Sequence, residues 1–433
     1  MKISRELSVS RLLQVVRTGF ERIADHRAAN AKIDLADALM SGFAMFSLKD
    51  SSLLEFDQRR AKADNLKRIY GLKTIPCDSQ MRTILDPVSP DNLKPLFKEV
   101  VEQLRQRQVL AQLKFRGHYL VSLDGSTYFA STEVHCPSCL AKKSRKTGEV
   151  SYSHQALVGA IVHPDFREVI PLAPEAIVKQ DGTTKNDCER NAAKRFFRQL
   201  RQDYPDWPFI ITEDALSANA PHLQQLQKHN LRYILGVKAG DHAFLFETVA
   251  AAHQAGQTTD YECKVKGVIH RFRFINQVPL NASHPDLLVN FIEYWEIDGH
   301  KEQHFCWITD FTLTTANVFE LMRGGRARWK IENETFNTLK NQGYHFEHNY
   351  GHGQQFLSVN LAALLLLAFL VDQVQQLAST LFQTVLKKEG SRKQLWEHVR
   401  ALFYTLPFTS LEEIFRALLY GYQVQKVVIL GPA

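Results

Sequence analysis

Between residues 117 and 238, short apolar runs alternate with charged, helix-patterned segments, and two of the runs end in acids. HYLVSLDG (118–125) is an apolar strand closed by Asp-Gly. ALVGAIV (156–162) and REVIPL (167–172) read as further strands. Residues 185–203 carry the spacing of an amphipathic helix, and PFIITED (208–214) is a buried strand ending in acids. Residues 219–229 suit a helix and YILGVK (233–238) a strand. Such alternation predicts a mixed α/β sheet. Acids at strand ends matter in that architecture, because side chains converge there without interrupting the hydrogen-bond ladder and ligands bind there.

The flanking segments are patterned differently. Residues 1–115 read as helices, with apolar residues three and four apart over 9–24 and 93–108, and with Pro76, Pro87, Pro90 and Pro95 as punctuation. Residues 240–310 are β-rich: CKVKGVIHRFRF (263–274), LLVNFIEYWEI (287–297) and QHFCWIT (303–309) predict an inserted sheet. Helix returns over 316–341, a glycine-bearing loop follows (343–353), and 355–388, 391–404 and 410–420 predict C-terminal helices. The longest apolar run, Leu361 to Val371, is well short of the ~20 residues of a membrane span, so a buried helix and no membrane partner are expected. With 433 residues, 45% apolar and 23% charged, the chain is globular with room for two or three domains. That excludes a disordered chain, a collagen-like chain and a small disulfide scaffold. The N-terminus shows no apolar signal segment, so the six cysteines are expected in a reducing compartment, as thiols or metal ligands.

Three carboxylates stand out by placement: Asp124 in LVSLDGST, Asp214 in FIITEDALS and Glu332 in GGRARWKIENETFNTLK. Taken singly, Asp124 is a turn residue, Asp214 a helix N-cap and Glu332 a surface ion-pair partner. Taken together, two strand-end acids and a helical one can bind a pair of divalent cations about 4 Å apart, the arrangement that serves phosphoryl transfer. Glu213 rivals Asp214, and Glu334 rivals Glu332.

These residues resemble those of the DDE transposases of bacterial insertion sequences, in the cut-and-paste branch with a Y–R–E–K signature (Tyr, two residues, Arg, three residues, Glu, six residues, Lys). Arg328 and Glu332 fit the Arg-x3-Glu part, and Phe336, Leu339 and Lys340 form the tail. IPCDSQMRTILDPV (75–88) is similar to the family's pre-catalytic region. The signature Tyr position holds Gly325, and Lys340 stands eight residues after Glu332 rather than seven. The resemblance implies an α/β fold: a ribonuclease H-like catalytic core with a β-rich insertion, flanked by N-terminal and C-terminal helical regions. The expected divisions are 1–115 (helical, DNA-binding and pre-catalytic), 116–239 (first part of the core), 240–310 (insertion), 311–353 (catalytic helix) and 354–433 (C-terminal helices). It further implies double-stranded DNA as partner (terminal inverted repeats and target), a homodimer on DNA, and a cytoplasmic, nucleoid-associated protein. Asp124, Asp214 and Glu332 would hold two Mg2+ ions, replaceable by Mn2+. The implied reaction hydrolyses DNA at the element's ends and joins the 3′-OH to target DNA. A metal-dependent nuclease without strand transfer and an inactive DNA-binding relative are the alternatives.

The net charge of +7 is mild, so clustering matters more than the total. Arg323, Arg326, Arg328 and Lys330 form an acid-free run, and with Lys340 they are candidate phosphate contacts. Gly324 and Gly325 would let backbone approach a phosphodiester. Trp329 is read as packed under its helix, with base stacking as the alternative. KKSRK (142–146) reads as an exposed basic loop, and 59–73 carries Arg59, Arg60, Lys62, Lys67, Arg68 and Lys73. His135-Cys136-Pro137-Ser138-Cys139 is a CxxC knuckle; His135, Cys136 and Cys139 are candidate structural Zn2+ ligands, with His154, His163 and Cys188 as further donors. His345, His348 and His352 read as a polar loop.

Overall fold

A computed structural model of the chain describes residues 7–60, 64–179 and 186–423. They fall into two compact units, one running from Leu110 to Asn337 and the other combining the chain before Leu110 with the chain from Thr338 onward. The boundary at 338 cuts the expected 311–353 segment within its helix.

The Leu110–Asn337 unit is built on one sheet. Its strands are β1 (Tyr119–Ser131), β2 (Leu140–Lys143), β3 (Val150–Val162), β4 (Ile170–Pro171), β5 (Glu175–Ile177) and β6 (Phe209–Glu213). They continue with β7 (Arg232–Gly236), β8 (Thr259–Val265), β9 (Val268–Asn281), β10 (His284–Asp298) and β11 (Lys301–Thr309). The order is β2-β3-β1-β6-β7-β11-β10-β9-β8, with β4 and β5 alongside β3. β1, β6 and β7 run parallel, and the remaining pairs are antiparallel. All five residues of β6 and the first five of β1 are buried, as continuous apolar runs in a parallel centre should be. The strands of 259–309 do not form a separate layer. β11 pairs with β7 through Thr309↔Ile234, so the expected insertion prolongs the core sheet.

Helices Glu189–Asp203, Ala220–Lys228, Ala243–Gln254 and Val318–Arg326 accompany the sheet. The last packs tightly: a Cβ on Gly325 would lie 2.6 Å from Trp307 Nε1, and one on Gly324 2.9 Å from the Phe115 ring. The Gly-Gly pair therefore serves close packing inside this unit rather than the approach of a phosphodiester.

The other unit is helical. Leu35–Ser47 is buried along its whole length, and Leu357–Ala378 carries the long apolar run. These two helices pack together, with Leu364 3.0 Å from where a Gly42 Cβ would stand. By length and composition Leu357–Ala378 could cross a membrane, yet it is the core helix of this unit. Its entry is fixed by Asp86, whose carboxylate accepts from the backbone N–H groups of Gln354, Gln355, Phe356 and Leu357 at 2.8–3.1 Å. Such an N-terminal carboxylate satisfies orphan donors and complements the helix dipole. The expected helix over 355–388 breaks at Ser379, which caps a second helix, Thr380–Glu389.

Candidate active site

Pairing register places the two acids; Asp124 does not close its strand as expected, because β1 runs on to Ser131 with Asp124 opposite Val158 of β3. β1 and β6 are joined in parallel up to Ser122↔Thr212, and Asp124 and Asp214 each follow two residues later in extended backbone. Side chains alternate along a strand, so Asp124 shares a face with Ser122, and Asp214 with Thr212. Both acids therefore project from one face, Asp124 within β1 and Asp214 just past the end of β6. Glu213 points the opposite way: its buried carboxylate takes a 2.6 Å contact from His222 Nε2 and accepts from Ser217 Oγ at 3.1 Å. Asp214 also accepts from Leu216 N–H at 3.0 Å, so its N-cap and strand-end readings both apply.

The segment bearing Glu332 lies against the same face, because Ser122 Oγ donates to the Arg328 carbonyl at 3.1 Å. Arg328 Nη1 reaches Glu332 Oε1 at 2.9 Å. Ile331–Phe336 is π-helical, a turn that holds roughly one residue more than an α turn. The chain also carries one residue more between Glu332 and Lys340 than the signature spacing. Glu334 turns elsewhere and pairs with Arg167 at 2.9 Å.

Asp124 reports how crowded this corner is. Burial pushes its carboxyl up to about 7; Arg328 pulls the other way, while Glu332, Glu189 and Asp214 add to the rise. Glu189 is the acid that sequence reasoning missed. It opens the Glu189–Asp203 helix, and its carboxylate lies where a Cβ on Gly125 would stand. Its own carboxyl is raised by burial and by the charges of Asp214 and Glu213. Arg328 and three acids, Glu332, Glu189 and Asp214, thus lie near enough to Asp124 to bear on its charge.

The basic run does not act as one patch. Arg323 pairs with Asp165, Arg326 pairs with Glu296 and lies over the Phe305 ring at 4.9 Å, and Lys330 Nζ donates to the Phe166 carbonyl at 2.6 Å. Only Arg328 faces the carboxylates. Trp329 is 45% exposed with the Arg328 guanidinium 4.6 Å from its ring, so it is not packed under the helix as expected. Lys340 belongs to the helical unit and pairs with Glu347 at 2.8 Å. In the 59–73 cluster, Arg59 pairs with Asp50 and Glu55, and Arg60 with Asp57. Lys67 and Arg68 are exposed, and Lys62 lies outside the described residues. His345 and His348 are exposed in a loop of the helical unit.

The CxxC knuckle closes on a different histidine from its neighbour. His154 Nε2, from β3, stands 3.3 Å from each of the Cys136 and Cys139 sulfurs. His135 instead stacks on Tyr152 at 4.2 Å, with its Nδ1 3.1 Å from the Glu133 carbonyl.

Comparison with known proteins adds the family. No match was found among curated proteins. The family described as Transposase DDE domain matches residues 130–370, starting just after Asp124 and taking in Asp214, Glu332 and every strand from β2 to β11. That match covers more than half of the 433 residues, so this chain belongs to the DDE transposase family of insertion-sequence type.

Proposed function

We propose that this transposase hydrolyses DNA at the ends of its element and joins the freed 3′-OH to target DNA, on a ribonuclease H-like core. Supporting the core assignment are the strand order β3-β1-β6-β7 and the parallel pairing of β1, β6 and β7. The observation that carries the chemistry is the register of Asp124 and Asp214 on adjacent parallel strands, with Glu332 close enough to raise the Asp124 carboxyl.

The donor set fits two Mg2+ ions, with Mn2+ as substitute. Asp124, buried and beside three further acids, is favoured as an anion by added positive charge. Asp124, Asp214 and Glu332 would hold the ions, which when bound supply activation of the attacking oxygen and neutralisation of the leaving one. The chain's own work is positioning and charge. Arg328 sits at the rim of the carboxylates, where its planar fork suits a phosphate oxygen. Its present partner is Glu332, so loading the site frees the guanidinium for DNA. Lys340, paired with Glu347, would have to leave that partner to serve as a phosphate contact. Arg323, Arg326 and Lys330 would have to leave their protein partners to touch DNA, and we assign them to holding the helix in place. Residues 1–115 would recognise terminal inverted repeats. The active form on DNA would be a homodimer, since two ends must be paired.

The test is excision and joining from a supercoiled plasmid carrying the source element, with Mg2+. Wild type should cut and join. Asp124→Ala, Asp214→Ala and Glu332→Ala should lose both steps, while Glu334→Ala keeps them. Cutting without joining would replace the transposase reading with a nuclease, and end binding without cutting would leave a DNA-binding relative.

A further inference from the structure

We propose that Cys136, Cys139 and His154 form a structural zinc site, separate from the carboxylate corner and independent of its chemistry. The two sulfurs are 3.6 Å apart, and His154 Nε2 is 3.3 Å from both. A tetrahedral ion with Zn–S of about 2.3 Å and Zn–N of about 2.05 Å spaces its sulfurs about 3.8 Å apart, and sulfur from nitrogen about 3.5 Å. The three donors are thus within about 0.3 Å of zinc spacing before any ion is added. All three residues are buried, at 8%, 0% and 1% exposure, so they meet out of solvent rather than by chance on a surface.

Three rival readings fit less well. A disulfide needs sulfurs about 2.05 Å apart. A redox CxxC opens a helix after a strand, whereas this one is a tight turn between β1 and β2, with Cys139 N–H donating to the Cys136 carbonyl at 3.1 Å. Packing of two thiols as small hydrophobes does not call for an imidazole nitrogen between them. The Cys136 N–H also points at Cys139 Sγ at 3.4 Å, the kind of backbone donor that steadies a zinc-bound thiolate.

The location gives the ion a task. Cys136 and Cys139 precede β2, and His154 lies on β3, so the ion ties the β1–β2 connection to the antiparallel β2–β3 hairpin. Lys142, Lys143, Arg145 and Lys146 are exposed on that hairpin and its turn, with Glu149 the one acid between β2 and β3. Zinc therefore fixes the base of a basic finger. Phosphate contact by that finger rests on the transposase reading; the metal site does not.

The experiment is metal analysis of the full chain purified without added zinc, with X-ray absorption at the zinc edge. We expect about one zinc per chain, with two sulfur and two nitrogen or oxygen scatterers. Cys136→Ser combined with Cys139→Ser should lose the ion, while His135→Ala and Asp124→Ala keep it. Less than about 0.2 zinc per chain overturns the proposal. So does a shell without sulfur, which is read on wild type and needs no variant to fold. Retention of zinc by the double serine variant, or its loss in His135→Ala, also overturns it. Failure of DNA joining with zinc intact would count against the transposase reaction alone.

Discussion

In the helical unit, buried carboxylates are met by cations and hydroxyls; in the sheet unit, Asp124 is met by other carboxylates. Asp372 accepts from Lys49 Nζ at 2.7 Å and from Tyr344 OH at 2.6 Å. Asp37 takes Arg17 at 2.6 Å and the Thr74 N–H at 2.7 Å, and Asp50 takes Arg59 at 2.8 Å and Tyr404 OH at 2.7 Å. Burial raises the carboxyls of Asp372 and Asp50, the latter to about 6, and these partners pull them back down. Around Asp124 the balance is reversed: Arg328 pulls down, and three neighbouring acids add to the effect of burial. The first arrangement is complete within the protein. The second has a single guanidinium, Arg328, among several acids, and on the proposed reading a bound cation completes it.

The largest expected effect tests which acids belong to that site. Glu332→Gln should lower strand cleavage by about 10³-fold or more, while Glu334→Gln, which loses only its Arg167 partner, should cost less than about tenfold. Equal losses would mean that the helical acid has been wrongly identified. Next comes stability. Lys49→Met strands Asp372 inside the helical core and should cost about 3–5 kcal/mol in chemical denaturation, because an unpaired buried charge remains. Asp124→Asn removes a repelled charge instead, and in metal-free buffer at pH 8 it should not destabilise at all. If both variants lost several kcal/mol, the contrast between the regions would collapse. Third, Mg2+ at a hundred times its dissociation constant should stabilise wild type by about 2.7 kcal/mol. Asp124→Asn should show much less of that gain in a thermal melt, and Lys49→Met should show all of it.

How much of this was readable beforehand follows from the range of each interaction. Asp124 and Asp214 were legible because a buried apolar run ending in an acid is a local pattern. Sequence placed Asp214 ahead of Glu213; the physical ground for that order is the β1–β6 register, which no local pattern carries. Glu189 was invisible: nothing in CERN (188–191) marks it, and its carboxylate occupies the space a side chain at 125 would fill. The basic run misled in the opposite direction. Acid-free in sequence, it finds Asp165, Glu296 and the Phe166 carbonyl on remote segments. His135 drew notice by adjacency to the CxxC, but pairing of β1 with β3 delivers His154. The β-rich pattern of 240–310 was plain, whereas its continuity with the core sheet depends on the β7–β11 pairing.

The smallest expected effect is a pH dependence, and its sign separates the two regions most sharply. In the folded chain Asp124 holds its proton up to about 7, against an ordinary value of 3.8. Between those values the folded state binds more protons than the unfolded one, so metal-free stability falls as pH rises from about 4 to 7. The contribution is on the order of 1–3 kcal/mol, since other groups titrate in the same window. Asp124→Asn should flatten that limb of the stability profile and leave the variant the more stable one above pH 7. Saturating Mg2+ should flatten it in wild type as well, by restoring the charge balance that the helical unit builds from Lys49, Arg17 and Arg59. Urea midpoints across pH 5 to 8, with and without Mg2+, read all of these slopes. A wild-type profile that rises over this interval would mean that the carboxylates are already compensated within the protein, and the corner would then be one more ion-pair network.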